Sequence, residues 1–236
     1  MIDIFYTVIT FSSMLILFKY FGKYHVNNLQ AITVNYFTAG SLALFIANAD
    51  GIPIVFQHII LSPYMVPSLI IGLLFIITFN LLAYGTQKVG IAISTVANKM
   101  SMIIPVIIGI YLFKEASGII KLIGIILAIS AIYMTSTKGG KLSFDKKYVP
   151  IILLIFLGQG MADGTLSWAQ KFTITSDNTP LFFACTFLSA GILGSLFLLY
   201  ELIVKKIRFQ PKSVLWGIAL GMPNYLTLHF FVRSLQ

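Results

Sequence analysis

Cysteine is almost absent from this chain: Cys185 is its one thiol, so neither a disulfide nor a thiolate metal site can form within it. Charge is scarce as well, at 10% of residues, with seven acids against sixteen bases. The three histidines, His25, His58 and His229, are scattered, and neither His-Glu-x-x-His nor Gly-x-Ser-x-Gly occurs, which argues against an enzyme. Gly-x-x-x-x-Gly-Lys-Ser/Thr is missing too, so no motif for direct ATP drive is present and no cofactor is expected. The opening Met-Ile-Asp-Ile-Phe lacks the basic region and small-residue cleavage site of a secretory signal, and the first apolar run is expected to stay attached.

What fills the chain instead is hydrocarbon. Apolar residues make up 58% of it and the mean hydropathy is +0.94, values that no water-facing surface tolerates. Eight apolar spans are read at 2–20, 29–49, 66–85, 90–113, 119–136, 149–168, 180–204 and 214–235. Each is roughly 18 to 25 residues, enough for a helix to cross a hydrocarbon core of about 30 Å. Barrel strands would alternate in polarity, and these runs are continuously apolar, so an all-α polytopic membrane protein is expected.

The net charge of +9 points to side assignment, not to nucleic acid. Alternating the loops places Lys19, Lys23, Lys88, Lys138, Lys141, Lys146, Lys147, Lys205, Lys206, Arg208 and Lys212 on one face, against Lys114, Lys121, Lys171 and Arg233 on the other. The positive-inside rule makes the first face cytoplasmic and the N-terminus external, in an inner or plasma membrane.

The second half repeats the first. A shift of about 151 residues aligns Phe5 with Phe156, Asn27 with Asn178, Ala39-Gly40 with Ala190-Gly191 and Leu42 with Leu193. Five spans form a first repeat at 1–137, a polar linker follows at 138–148, and three spans form a second repeat at 149–236. Five is odd, so the copies are inverted, the arrangement of a secondary transporter whose site opens to either side in turn. By the same register about 50 residues, two spans, are missing from the second copy, and a truncated ten-helix protein is expected in preference to an eight-helix descendant.

Inverted five-helix halves, Pro105 followed by Glu115 at the end of the fourth span, and the short hairpin Thr86-Gln87-Lys88-Val89-Gly90 resemble the drug/metabolite transporter superfamily, specifically its EamA-type members. The resemblance covers the whole chain. It implies export or uptake of small metabolites such as amino acids, with more distant members carrying nucleotide sugars, drugs or triose phosphates.

Within that frame Lys99 is the sharpest residue. It sits mid-span, where a charge costs about 2.5 to 3.5 kcal/mol on insertion scales, and its stem is too short to snorkel out. Asp163, mid-span in the sixth, shares a helix face with Gln159 and Ser167. In the superfamily's fold the fourth and sixth helices border the central cavity, which implies a Lys99 to Asp163 ion pair there. The repeat sets Asp163 opposite Ser12, near where the related small multidrug-resistance proteins hold a membrane-embedded glutamate; the first helix here offers only Thr10, Ser12 and Ser13. Asn35, Thr38, Asn80, Ser94, Asn98, Ser101, Asn224 and His229 supply further polar atoms at mid-span.

The expected function is a secondary transporter of a small polar metabolite such as an amino acid. Lys99 would anchor a carboxylate or phosphate, Asp163 would be its counter-ion or carry a coupled proton, and Asn35, Asn80, Asn98 and Gln159 would orient the substrate. The alternative is a non-transporting membrane scaffold in which the same charges cement the bundle. Substrate identity, direction, coupling ion and oligomeric state do not follow from the residues.

Overall fold

The computed structural model describes residues 2–112, 114, 118–138, 141–142, 144–175 and 177–235. It contains ten α-helices among them: α1 (Ile2–Lys23), α2 (Asn28–Ala49), α3 (Phe56–Ile60), α4 (Met65–Lys88), α5 (Ile91–Met100), α6 (Ile103–Leu112), α7 (Ile119–Ser136), α8 (Val149–Phe172), α9 (Thr179–Ile203) and α10 (Pro211–Leu235). A two-residue antiparallel pair, β1 (Thr137–Lys138) and β2 (Lys141–Leu142), falls in the polar linker and leads to a 3-10 turn at Lys146–Tyr148.

Six helical stretches among the described residues are long and apolar enough to cross a membrane: α1, α2, α4, α5 with α6, α8 with its preceding turn, and α9. Helix α7 coincides with the fifth expected span. Helix α10 equals the others in length but carries Pro223, Asn224, His229 and Arg233, and is not among the six. Large apolar side chains such as Phe45, Leu199 and Leu215 point outward, as expected where the solvent is lipid.

Helix starts follow local chemistry. Asn27 caps α2, its side chain accepting from the Gln30 amide at 3.0 Å. Pro67, Pro105, Pro150, Pro180 and Pro211 all lie in the first turn of a helix, where a missing N–H leaves no bond unmade. Gly90 joins α4 to α5 with φ of 117°, a conformation that glycine alone adopts without strain.

The fourth span, read as a helix over 90–113 in which Pro105 permits bending, is interrupted. It breaks at Ser101–Met102 into α5 and α6, and Pro105 is the cause. Proline cannot donate to the Ser101 carbonyl four residues back, and the Ile104 amide takes that carbonyl instead at 2.9 Å, tightening the chain into a turn. Glu115, the other half of the Pro105 motif, lies outside the described residues.

Helix α2 lies between α9 and α10; α4 packs on α8 and α9; α1 packs on α10 and α4; α5 and α6 pack on α8 and α7. Small residues allow these approaches. A Cβ at Gly217 would meet the Ala31 carbonyl of α2 at 2.5 Å, and one at Gly221 would meet Thr38 at the same distance. Gly160 and Gly164 of α8 lie against Ile104 and Ile108 of α6. Gly40 of α2 abuts Leu188 of α9 while Gly191 of α9 abuts Phe37 of α2, and these four positions pair with one another in the sequence repeat.

Hydrogen bonds stitch one end of the bundle, the end holding Lys23, Lys88 and Lys212. Gln30 accepts from the Gln210 amide at 2.8 Å and donates to the Arg208 carbonyl at 3.0 Å. Gln87 donates to Asn28 at 2.9 Å and to the Phe18 carbonyl at 3.2 Å. Beneath them an aromatic core joins Phe18, Phe79, Tyr36 and Phe187, with successive ring centroids 5.7 to 6.2 Å apart.

Candidate functional site

Mid-membrane, α1, α4, α8, α10 and the α5–α6 break enclose a cavity of about 70 Å³. Its wall is mostly apolar, with Phe11 and Met14 from α1 and Phe75 and Phe79 from α4, one helical turn apart in each helix or nearly so. Into this wall are set Asn98 and Lys99 from the last turn of α5, Gln159 and Asp163 from α8, and Asn224 and Thr227 from α10. The break places Lys99 two residues before a non-helical turn, so backbone irregularity and buried charge coincide, as membrane proteins permit only where a cavity is lined.

The polar groups form an ordered line. Asn98 donates to Gln159 Oε1 at 3.0 Å, and Gln159 donates onward to Asp163 Oδ1 at 2.8 Å. This leaves the second Asp163 oxygen without a hydrogen-bond partner among the described residues. On the opposite wall Asn224 donates to Asn35 Oδ1 at 3.1 Å, and Thr227 donates to Thr10 Oγ1 at 2.9 Å, tying α10 to α2 and α1.

Lys99 and Asp163 line the same cavity, but their charges do not come within 4.0 Å, so the expected ion pair is not formed. Gln159 occupies one carboxylate oxygen, and the ammonium sits instead over the Phe11 ring, 3.6 Å from its centroid. A cation against a ring face is attracted to the π cloud, by about 2 kcal/mol or more when desolvated. The result is a positive and a negative group held apart across a small apolar space, each with capacity for a further partner.

Four of the six candidate residues, Lys99, Asp163, Asn98 and Gln159, therefore meet at one cavity. Asn35 does not reach the wall; fully buried, it backs Asn224. Asn80 is elsewhere. Phe75 and Phe79 occupy the cavity face of α4, and one residue further on the helix has turned by about 100°, which carries Asn80 to the outer flank. Ser13 donates to the Ile9 carbonyl at an exposed position, and His229 stacks on Tyr225 beside an outer pocket with Asp50 and Arg233. Trp168 packs on Phe172 and Tyr84 on Tyr148, and neither lines the cavity.

Phe11, Thr7 and Thr227 were not singled out in the sequence. Phe11 is one of twenty phenylalanines, and nothing local distinguishes it from those facing lipid. Thr227 carried a weak signal, standing three residues after Asn224 on the same helix face. Among the described residues no group of three or more His, Cys, Asp or Glu could hold a metal ion.

A family model described as the EamA-like transporter family matches residues 1–137. An uncharacterized protein of Haemophilus influenzae is 26% identical over 224 residues, a stretch covering 94% of this chain and 75% of that protein. No solved structure matches.

Proposed function

Because the chain belongs to the EamA-like transporter family of membrane transporters, we propose that it moves a small polar metabolite such as an amino acid across the membrane by alternating access. The observation that carries the substrate class is the separation of Lys99 from Asp163 within one cavity. A dipolar ion has its opposite charges a few bonds apart, and would meet the Lys99 ammonium with its carboxylate and the free Asp163 oxygen with its ammonium. Both buried charges then gain partners, which offsets the cost of keeping them at mid-membrane. Asn98 and Gln159 hold the Asp163 side in place, and the ring of Phe11 is the surface that Lys99 leaves on binding.

We read the fold as an inverted repeat, with α1, α2 and α4 matched to α8, α9 and α10. Two features of the packing support this. The α2–α10 contact is answered by α9–α4, and α1–α10 by α8–α4. The reciprocal approaches of Gly40 to Leu188 and Gly191 to Phe37 are those that a two-fold axis between α2 and α9 would generate. In this conformation the hydrogen bonds of Gln30, Gln87 and Gln210 close the lysine-rich end, which we assign to the cytoplasm of the cell membrane, with the N-terminus outside.

Uptake of radiolabelled amino acids into proteoliposomes tests the reading. Transport should occur with the wild-type chain and fall at least tenfold, a loss of about 1.4 kcal/mol, in Lys99→Ala and in Asp163→Asn. Unchanged transport in both variants would remove the site from the account.

A further inference from the structure

Asn80 has a setting of its own. It lines a groove of about 450 Å³ on the outer flank of the bundle, between α2, α4 and α9, which shares no lining residue with the central cavity. The groove is apolar along its length, Ile77 and Phe197 being exposed there on the surface that faces lipid. Its mouth, at the lysine-rich end, carries an ion pair: Lys205 Nζ lies 3.1 Å from Glu201 Oε1, one helical turn away, and 5.9 Å over the Tyr200 ring. Deeper in, Asn80 donates one amide hydrogen to the Ile76 carbonyl at 2.7 Å. Its second N–H and its Oδ1 have no partner among the described residues. A polar amide turned toward hydrocarbon with unused hydrogen-bonding capacity is costly, and asks for a ligand that is itself polar at that depth.

We propose that this groove is a binding site for a phospholipid whose headgroup carries both an ammonium and a phosphate, namely phosphatidylethanolamine. The headgroup phosphate meets Lys205 and its primary ammonium meets Glu201, matching the two charges at the mouth in kind and number. One acyl chain lies along Ile77 and Phe197, and the Asn80 amide donates to an ester carbonyl of the glycerol linkage. An anionic lipid such as phosphatidylglycerol would place no cation on Glu201 and would set its own charge beside it. A choline headgroup cannot donate a hydrogen bond from its methylated nitrogen. A water-soluble ligand would leave the apolar floor unsatisfied.

The test uses the full chain purified in detergent, stripped of native lipid, and incubated with equal amounts of palmitoyl-oleoyl phosphatidylethanolamine, phosphatidylglycerol and phosphatidylcholine. Bound lipid is then read by native mass spectrometry. Phosphatidylethanolamine should be retained several-fold over the other two. Glu201→Gln should bring it down to the level of phosphatidylcholine. Ile77→Trp should fill the groove and lower its retention, with the variant still eluting as a monodisperse peak. Equal retention of the three lipids, preference for phosphatidylglycerol, or phosphatidylethanolamine binding untouched by Glu201→Gln or by Ile77→Trp would overturn the proposal. Because Ile77 is outside the central cavity, none of these outcomes depends on whether an amino acid is transported.

Discussion

A lysine ammonium 3.6 Å from a phenylalanine ring is held firmly enough to be placed and loosely enough to be taken away. That balance suits a substrate anchor, since an ammonium locked to a carboxylate at hydrogen-bond distance would have to break that pair for every molecule it bound. Phe11→Leu isolates the effect. The variant should lose about 1 to 2 kcal/mol of stability in the unliganded state, because the buried ammonium has lost its ring, yet its affinity for a carboxylate-bearing ligand should be retained or raised. Chemical unfolding with and without ligand separates the two. Lys99 and Asp163 were legible as buried charges because the sequence around them is so apolar; their separation was not, since it depends on Gln159 reaching Asp163 first and on which of twenty phenylalanines faces inward.

Helix elements carry the next level of consequence. Pro105 ends one helix and begins another next to Lys99, and Pro105→Ala restores the N–H that the Ser101 carbonyl lacks at four-residue spacing. The variant should join α5 and α6 into one continuous helix and move Lys99 out of register with α1. Ligand binding should then be lost with the protein still folded, as judged by a monodisperse elution profile. The spans of the other helices could be read from hydropathy, and α7 fell on its expected bounds; Pro105 marked where the fourth span could bend, but a hydropathy window does not show that it parts into two helices. Close packing gives a paired test. Gly217→Leu drives a side chain into the Ala31 carbonyl and should cost about 1 to 3 kcal/mol, whereas Gly124→Ala, with open space around its Cβ, should be neutral or mildly stabilising.

At the scale of the molecule, the inverted repeat proposed above would bring its two copies together through α2 and α9. The match of Ala39-Gly40 with Ala190-Gly191 was legible in the sequence, and the close approach of α2 to α9 gives it a physical reason, since a helix crossing this tight tolerates few side chains. What the residues could not convey is the set of contacts across the lysine-rich end, which we take as the closed one. The glutamine contacts at the lysine-rich end join segments far apart in sequence, Gln30 with Gln210 for one. A cysteine replacing Met14 in a Cys185→Ala background should therefore react with an impermeant thiol reagent only from the lysine-poor side of oriented vesicles. Adding Gln30→Leu should admit reagent from the lysine-rich side as well.

The claim on which the account turns is that the central cavity binds a dipolar metabolite between Lys99 and Asp163. The measurement that reaches it most directly is thermal unfolding of the detergent-purified chain against amino acids, their decarboxylated amines and their deaminated acids, repeated in Lys99→Ala and Asp163→Asn. Amino acids should raise the melting temperature more than either half-molecule does, and the rise should disappear in both variants, since a ligand stabilises only the state that binds it. No rise with any amino acid, or a rise that survives both substitutions, would contradict the claim and leave the two charges as fastenings of the bundle.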